Sequence, residues 1–441
     1  MKIDLTDLRS IAPTFLFCLL CNIALPQDSL TFDSDRRFVE SYVVFDEVKT
    51  KHISCVRLYR MNSSEESTIL STLRTSKLEL RFDDLRGDFN EYRYAFVHCN
   101  SSWEIYRETE MNYVEINDSR YVEDVQFSSA TATAFASYTV AFPKDGNRFI
   151  RSGNFAIQII DVETDSVIIT KRFTVIDPQL NINARVKKTD EVKYQNFKQQ
   201  LSFEISDPKN KIKDVNGLRV VALKNRSWEI TCSDFKPSFV SGNKIIFDYT
   251  SNCLFDGGNE YRYFNTLESR SFSSNIIRVS PSKKAAFDIY LETDEPRSFL
   301  KYSNMQDMNG RTLYKAESRS ISWHELDYSF VHFSLNTEQP MLGFELYLFG
   351  EFTMMKMDSA FRMDYNPSLG RYEKTLLLKH GFYNYQYVVK SPYQDGPDEA
   401  IIEGSHAETE NDYTIFVYYS SMSEGYDQLL GVAHINSSKN E

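Results

Sequence analysis

The sequence lacks the features that mark several large classes of protein. It carries 50 Lys and Arg against 62 Asp and Glu, a net charge of −12, and no run of five or more basic residues interrupts it. A phosphate-binding surface is therefore not expected, and nucleic acid is not expected as a partner. After the first 27 residues no window reaches the roughly 18 consecutive apolar residues of a membrane-spanning helix, so we expect no such helix.

Catalytic and metal-binding motifs are also missing. No two of the 7 His residues lie four positions apart with a Glu between them, so the zinc-protease motif is absent. Neither a Gly-x-Ser-x-Gly motif nor a phosphate-binding loop occurs. His98 is interpreted as a satisfied histidine of the core or rim rather than a metal ligand, because no cysteine pair or carboxylate cluster flanks it at ligand spacing. We therefore predict that the protein is not an enzyme and has no catalytic residue, metal ligand or cofactor.

Two polar segments that could suggest chemistry have simpler interpretations. Asp256, Gly257 and Gly258 are interpreted as a tight turn rather than a phosphate-binding loop. Glu408 and Glu410 resemble a pair of glycosidase carboxylates, but they lie in the polar run 403–412. We expect that run to be a solvated loop.

The first 27 residues are predicted to be a signal peptide. Lys2 and Arg9 precede an apolar stretch of about 15 residues, Ile11 to Leu25, which suits an export signal and is too short to cross a bilayer. Cys18 and Cys21 lie within this stretch, but bulky residues precede both, which argues against lipidation. We expect an exported protein.

Four cysteines remain after the signal peptide: Cys55, Cys99, Cys232 and Cys253. A bond between Cys232 and Cys253 would close a loop of about 21 residues and contribute about 3 kcal/mol in an oxidising compartment. The sequence leaves two alternatives open, this disulfide or buried free thiols.

The chain alternates apolar and polar residues with a period of two in many short segments. An example is Tyr92, Tyr94, Phe96 and His98, and no long helical periodicity accompanies these segments. This pattern predicts an all-β chain of antiparallel β-sandwiches in tandem. Predicted domains are 28–178, which ends with a hairpin before Asp177 and Pro178, then 179–310 and 311–441.

Several phrases resemble the plug protein family of the bacterial type IX secretion system, whose members are exported by Bacteroidetes-type bacteria. They are 94–103 (YAFVHCNSSW), 151–155 (RSGNF), 255–264 (FDGGNEYRYF), 348–351 (LFGE), 363–366 (MDYN), 377–387 (LLKHGFYNYQY) and 403–411 (EGSHAETEN). The last domain is also similar, more weakly, to early-set immunoglobulin-like domains of glycogen-active enzymes. This second resemblance implies a sandwich fold but no sugar site, because Trp103, Trp228 and Trp323 all precede the domain's main strands.

The resemblance to the plug family implies a non-catalytic periplasmic subunit that binds and occludes the outer-membrane β-barrel translocon. It would be peripheral to the outer membrane through protein contact and have no small-molecule substrate. A barrel of about 36 strands would be roughly 70 Å wide. A compact chain of this length would measure about 55–60 Å, so one copy could fill the lumen once side chains narrow it.

Candidate contact residues for the barrel are Arg148, Phe149 and Arg151, where two cations flank an exposed-looking aromatic. The alternative is that the turn from Asp145 to Asn154 is only structural and that both arginines pair with local Asp. A different function also stays open, that of an exported polysaccharide-binding β-sandwich protein. In that case Tyr383, Tyr385 and Tyr387 would form a stacking surface, unless they lie in the core.

Overall fold

The computed structural model describes residues 42–61, 67–71, 76–117, 119–267, 275–314, 322–392, 396–421 and 423–439. The predicted signal peptide, with Cys18 and Cys21, lies outside these ranges. In the described part the chain is almost entirely β, which confirms the predicted fold class. Its one α-helix there is the short α1, Ala400–Glu403.

The strands from the N-terminus to residue 291 are as follows: β1 Glu47–Val48, β2 Ile53–Arg60, β3 Ile69–Ser71, β4 Leu78–Asp84, β5 Tyr92–Cys99, β6 Val114–Glu115, β7 Asp124–Phe127, β8 Ala136–Phe142, β9 Arg148–Phe149, β10 Gly153–Asp161, β11 Ser166–Ile176, β12 Asn181–Lys188, β13 Lys198–Ser206, β14 Leu218–Lys224, β15 Ser227–Cys232, β16 Phe239–Ser241, β17 Lys244–Phe247, β18 Leu254–Asp256, β19 Arg262–Asn265, β20 Ile276–Pro281 and β21 Phe287–Leu291. The remaining strands are β22 Thr312–Leu313, β23 Tyr328–Asn336, β24 Glu345–Phe349, β25 Asp364–Asn366, β26 Arg371–Lys379, β27 Phe382–Lys390, β28 Pro397–Asp398, β29 Asp412–Ser420 and β30 Asp427–Asn436. Single turns of 3₁₀-helix lie at Glu110–Asn112, Val192–Tyr194, Val215–Gly217, Trp323–Glu325, Glu351–Thr353, Ser359–Phe361 and Ser437–Lys439.

Strands β1 to β11 form the N-terminal group. One sheet has the order β1-β11-β10-β5, with β3 added parallel to β11, a second has the order β2-β4-β8-β7, and β6 and β9 form a small sheet of two strands. Side chains from both sheets meet in one aromatic-rich core that includes Phe82, Tyr94, Phe96 and Tyr138. The predicted hairpin is present as β10 and β11, whose residues pair in antiparallel register from Gly153 with Val175 to Asp161 with Ser166.

The middle group combines strands that are far apart in the sequence. One sheet has the order β12-β13-β17-β16, with β18 also on β13, and the other has the order β15-β14-β29-β30. Strand β29 pairs with β14 from Leu218 opposite Tyr419 to Lys224 opposite Tyr413. The last two strands of the chain therefore complete the middle group.

The third group is inserted between these parts of the middle group. Its sheets are β19-β27-β22, with β24 and β28 also on β27, and β20-β21-β23-β26-β25. Strand β19 pairs with β27, from Arg262 opposite Tyr385 to Asn265 opposite Phe382. Strands β19, β20 and β21, which the sequence analysis assigned to the middle domain, thus belong to the third group.

The predicted division between residues 310 and 311 does not follow these sheets. Strand pairing in sheets is non-local, and a period-two pattern identifies a strand without naming its partner. Residues 177–180, by contrast, lie between the last strand of the N-terminal group and the first of the middle group. Whether each group folds independently stays a prediction.

One sheet of the middle group is covered on both faces. Val220 and Ala222 of β14 face the core of the middle group. Val221 and Leu223 on the opposite face pack with Ile176, the last residue of β11. Burial on both faces explains why β14 is nearly continuously apolar instead of alternating.

A disulfide joins Cys232 and Cys253, whose Cα atoms are 5.6 Å apart. It connects the end of β15 to the residue before β18. Cys55 and Cys99 are not bonded to any other described cysteine. The structure therefore contains the bond that the sequence left as one of two alternatives.

Candidate functional site

The three predicted contact residues lie on and next to β9, a two-residue strand paired with β6. Arg148 is exposed and donates from Nε and Nη2 to the carboxylate of Glu115 at 2.7 and 2.9 Å. Phe149 is only 7% exposed and packs edge-on against Phe96 and Phe155. The interpretation of Phe149 as an exposed aromatic is wrong, because adjacent residues on a strand face opposite sides and Phe149 faces the core.

Arg151 is also paired. Its Nη1 donates to Oε2 of Glu108 at 2.5 Å, and its guanidinium lies 4.8 Å from the ring of Tyr426. Both arginines therefore pair with Glu rather than with the local Asp that the alternative interpretation expected. The structure does not combine the three residues into one exposed contact.

His98 lies in the core, as the sequence predicted, and connects to the same Glu108. Its Nδ1 is 2.7 Å from Oε1 of Glu108, and its ring stacks on Phe155. Burial lowers the pKa of His98, although the Glu108 carboxylate acts in the opposite direction. Nε2 of His98 has no hydrogen-bond partner among the described residues.

The N-terminal and middle groups meet through an arginine between two tryptophans. The guanidinium of Arg172 lies 5.1 Å from the ring of Trp103 and 5.5 Å from that of Trp228. Asp46 accepts a 2.6 Å hydrogen bond from the backbone N–H of Arg172 and one of 3.1 Å from Lys171. Burial alone would raise the pKa of Asp46, but the charges of Lys171 and Arg172 outweigh it and hold the pKa below its usual value.

Further polar contacts join the same two groups. The hydroxyl of Tyr418 donates to Oδ1 of Asn154 at 2.7 Å. The carboxylate of Asp427 accepts from the backbone N–H of Ser101 at 2.8 Å. The middle group is therefore attached to the N-terminal group by directional bonds as well as by apolar packing.

A buried ion pair joins the N-terminal group to the third group. Nζ of Lys379 lies 2.6 Å from Oδ2 of Asp83, and both side chains are fully buried. Asp83 also accepts from the Tyr328 hydroxyl at 2.6 Å, the Trp323 indole at 2.8 Å and the Ser137 hydroxyl at 2.6 Å. We call these five residues the Asp83 junction.

A second buried ion pair joins the middle group to the third group. Nζ of Lys224 contacts Oε1 of Glu399 and donates to the carbonyl of Asp256 at 2.7 Å. The other oxygen of Glu399 accepts from the Gln386 side chain at 3.0 Å. We call these residues the Glu399 junction.

Two of the family-like phrases, 255–264 and 403–411, meet beside the Glu399 junction. The carbonyl of Gly258 accepts from the His406 backbone N–H at 2.9 Å and the Thr409 hydroxyl at 2.8 Å. A Cβ on Gly257 would lie 1.9 Å from the carbonyl oxygen of His406, so only glycine allows this approach. The interpretation of the two glycines as a simple turn was therefore incomplete.

The run 403–412 is not a solvated loop. Glu403, Thr409 and Asn411 are buried, and only Glu408 is exposed. The carboxylate of Glu403 binds Arg262 at 3.1 Å and Arg297 at 2.7 Å. Burial alone would raise the pKa of Glu403, and these two cations hold it below its usual value.

The tyrosines considered for sugar stacking are core residues. Tyr383, Tyr385 and Tyr387 are all buried. The hydroxyls of Tyr385 and Tyr387 donate to Oδ2 of Asp294 at 2.8 and 2.7 Å. They cannot form an exposed stacking surface in this structure.

A cleft of about 630 Å³ opens where the three groups meet, with Leu58, Trp228 and Phe416 among its walls.

Within the described ranges, no three His, Cys, Asp or Glu side chains are grouped so that they could hold a metal ion. The helices of the described part include none long and apolar enough to cross a membrane. The distinctive features of the contacts between the groups are buried ion pairs and hydrogen bonds.

The sequence did not predict these buried ion pairs. Lys379, Asp83 and Glu399 are charged residues, and charged residues are usually expected on the surface. One signal was available for Lys379, which directly follows the apolar run Leu376 to Leu378 and lies three residues before the start of the aromatic strand β27.

Residues 53–177 match the family model described as the first domain of the type 9 secretion system plug protein. A crystal structure of a hypothetical protein from Parabacteroides merdae is similar to 90% of this chain and 100% of its own, with a TM-score of 0.85 and 29% sequence identity. The C-terminal domain of the AgI/II polypeptide BspA from Streptococcus agalactiae aligns over 87% of this chain and 99% of its own, but at 8% identity and a TM-score of 0.14 it carries no argument. No curated protein matches the chain.

Proposed function

We propose, from the match of residues 53–177 to the model for the first domain of the type 9 secretion system plug protein, that the chain is a non-catalytic plug subunit. It occludes the periplasmic mouth of the large outer-membrane β-barrel translocon and leaves when cargo arrives. The family match is the observation that carries the proposal. Periplasmic location and association with the outer membrane through protein contact are part of it.

The buried junctions supply a mechanism for occlusion. A plug that blocks a wide lumen by filling it must not let its parts swing aside. The Asp83 and Glu399 junctions connect the third group to each of the other two through ion pairs with no exposed side chain. Separating the groups would break these ion pairs together with the hydrogen bonds and apolar contacts around them, so we infer that the three groups block the pore as one rigid body.

Reversible occlusion also limits the contact with the barrel. A plug that leaves when cargo arrives needs an interface of modest area with a polar rim, unlike the large apolar interface of an obligate complex. The net charge of −12 is compatible with such a surface.

The proposal is tested by deleting the gene and measuring outer-membrane leakage of a large antibiotic that the intact membrane excludes. Deletion should increase leakage, and the full-length protein supplied in trans should restore the barrier. The protein should also co-purify with the empty translocon and be absent from one that holds trapped cargo. An unchanged barrier, or co-purification that ignores cargo, would contradict occlusion.

The predicted turn is tested in the same strain with the double variant Arg148→Ala and Arg151→Ala. Because both arginines already pair with Glu in this structure, we expect the variant to restore the barrier as well as the wild type does. Leakage with this variant would assign the contact to the turn after all.

A further inference from the structure

Between β21 and β22 the chain runs through residues 292–311 without a strand, apart from a single bridge between Asp294 and Leu335. Loops longer than about 12–15 residues with no secondary structure are uncommon in compact domains and are usually functional or linkers. At the tip of this loop Phe299 is 100% exposed and Leu300 is 60% exposed. Two adjacent large apolar residues therefore stand in solvent on an unusually long loop.

On the N-terminal side of the tip, Arg297 anchors the loop through several hydrogen bonds. The guanidinium of Arg297 donates from Nε to Oε2 of Glu403 at 2.7 Å and from Nη2 to the carbonyl of Glu260 at 2.7 Å. The backbone N–H of Arg297 donates to the carbonyl of Ile402 at 2.7 Å. The backbone N–H of Leu300 donates to the carbonyl of Arg297 at 2.9 Å and closes a turn. The turn that carries Phe299 is thus fixed to a buried carboxylate.

The C-terminal side of the tip is anchored as well. The Tyr302 hydroxyl donates to Oε1 of Glu260 at 2.6 Å. Two of the residues that hold the tip, Glu260 and Glu403, are buried acids, and burying a carboxylate is unfavourable. Burial raises the pKa of Glu260, and the carboxylate of Glu403 is stabilised by two arginines. A linker would not require this support, whereas a binding element gains affinity when its bound shape exists in advance.

A further exposed aromatic lies beside the same support. Phe197 is half exposed, and its carbonyl accepts from the Ser405 hydroxyl at 2.6 Å. Gly404, the residue before Ser405, lies so close to the tip that a Cβ there would be 3.2 Å from Cα of Ser298. The segments that carry Phe197 and Phe299 therefore both approach residues 404 and 405.

We propose that the tip of this loop, Phe299 and Leu300, is the docking knob that inserts into an apolar pocket in the periplasm-facing wall of the translocon barrel. This inference rests on the proposed function and names the surface through which it acts. A rigid knob fits a shaped protein pocket, where a few buried aromatic anchors carry most of the binding energy. Glu292 and Glu295 are exposed on the same loop as the knob, so we expect the rim of the pocket to be cationic.

The same charges disfavour a lipid surface as the occupant. The exposed charged residues of the loop 292–311 are Glu292, Glu295 and Lys301, and the whole chain carries a net charge of −12. Interfacial anchors usually combine a wider apolar face with basic residues, which anionic lipids attract. A protein pocket is therefore the occupant that the observations favour.

The test measures affinity of the full-length protein for the purified translocon barrel in nanodiscs. The variant Phe299→Ser/Leu300→Ser should bind at least about tenfold more weakly with an unchanged thermal midpoint, because both side chains are exposed. Phe239→Ser is the matched control, since Phe239 is another aromatic with 61% exposure, and it should bind like the wild type.

The outcomes separate the two proposals. If the wild type binds and the double variant binds equally well, the knob is overturned and the plug function stands. If the wild type does not bind the barrel at all, both fail. Binding to vesicles of phosphatidylethanolamine and phosphatidylglycerol that depends on Phe299 would identify a lipid surface instead and overturn the protein pocket.

Discussion

Replacing Lys379 by Met should loosen the N-terminal group from the third group. Met has nearly the length of the Lys side chain, so the substitution removes the charge with little change in volume. It leaves the Asp83 carboxylate fully buried without its cation. The ammonium also lies 3.7 Å from the centre of the Phe135 ring, a contact that Met replaces with an apolar one.

The size of the effect follows from the geometry. At the 2.6 Å separation of Nζ and Oδ2, the attraction of two unit charges is about 6 kcal/mol for an effective dielectric constant of about 20. Ser137, Trp323 and Tyr328 continue to donate to Asp83 in the variant, so part of this loss is compensated. We expect the free energy of unfolding to decrease by about 3–5 kcal/mol, the range observed when a buried pair loses one partner.

A double-mutant cycle measures this pair in urea unfolding, with Asp83→Asn as the second single variant. The double variant buries no charge and should recover much of the loss, giving a coupling energy of at least about 2 kcal/mol. Hydrogen exchange should show faster opening at Ala132 and Thr133, whose backbone N–H groups donate to Asp327 of the third group.

The control for this cycle is Arg148→Ala, which breaks an exposed ion pair with Glu115 and should leave stability unchanged. Single variants that each cost less than about 1 kcal/mol and add without coupling would refute the reasoning. In that case the Asp83 junction would not fasten the two groups.

Two further predictions concern stability. Replacing Cys232 and Cys253 by Ser should lower the free energy of unfolding by about 3 kcal/mol, and a reductant should lower that of the wild type equally; no difference between oxidised and reduced protein would contradict a bond in solution. Burial lowers the pKa of His98 below 6.5 in the folded chain, so the unfolded chain binds a proton first and stability should fall as the pH drops below about 6.5. His98→Gln should flatten this part of the profile in urea unfolding across pH 5 to 8, and an unchanged slope would exclude His98 as a source.

Local patterns predicted the strands well because each strand carries its own signal. Tyr92, Tyr94 and Phe96 face the core as their alternation indicated, and the hairpin of β10 and β11 ends just before Asp177 and Pro178 as predicted. The resemblance to the plug family rested partly on the phrases 94–103 and 151–155, which lie inside the range 53–177 that the family model matches. The phrase 403–411 contains a residue that the fold cannot easily exchange, Glu403, whose carboxylate binds two arginines.

Two kinds of feature could not be read from the sequence. The pairing of β29 with β14 joins residues about 200 positions apart, and no local pattern specifies a partner at that distance. The sequence also did not indicate which aromatic residues are exposed. Phe149 looked exposed between two arginines but faces the core, while Phe299 looked unremarkable and proved fully exposed.

The position of the buried charges also bears on how a plug would leave the barrel. The third group is tied to the N-terminal group through Asp83 and Lys379 and to the middle group through Glu399 and Lys224. Opening either junction would separate a buried pair and break the hydrogen bonds around it, whereas release from the barrel would expose only a contact of modest area with a polar rim. For the plug that we propose, cargo would therefore displace the whole body more readily than it would separate the groups. Its release step would be dissociation from the barrel wall, with the three groups still joined.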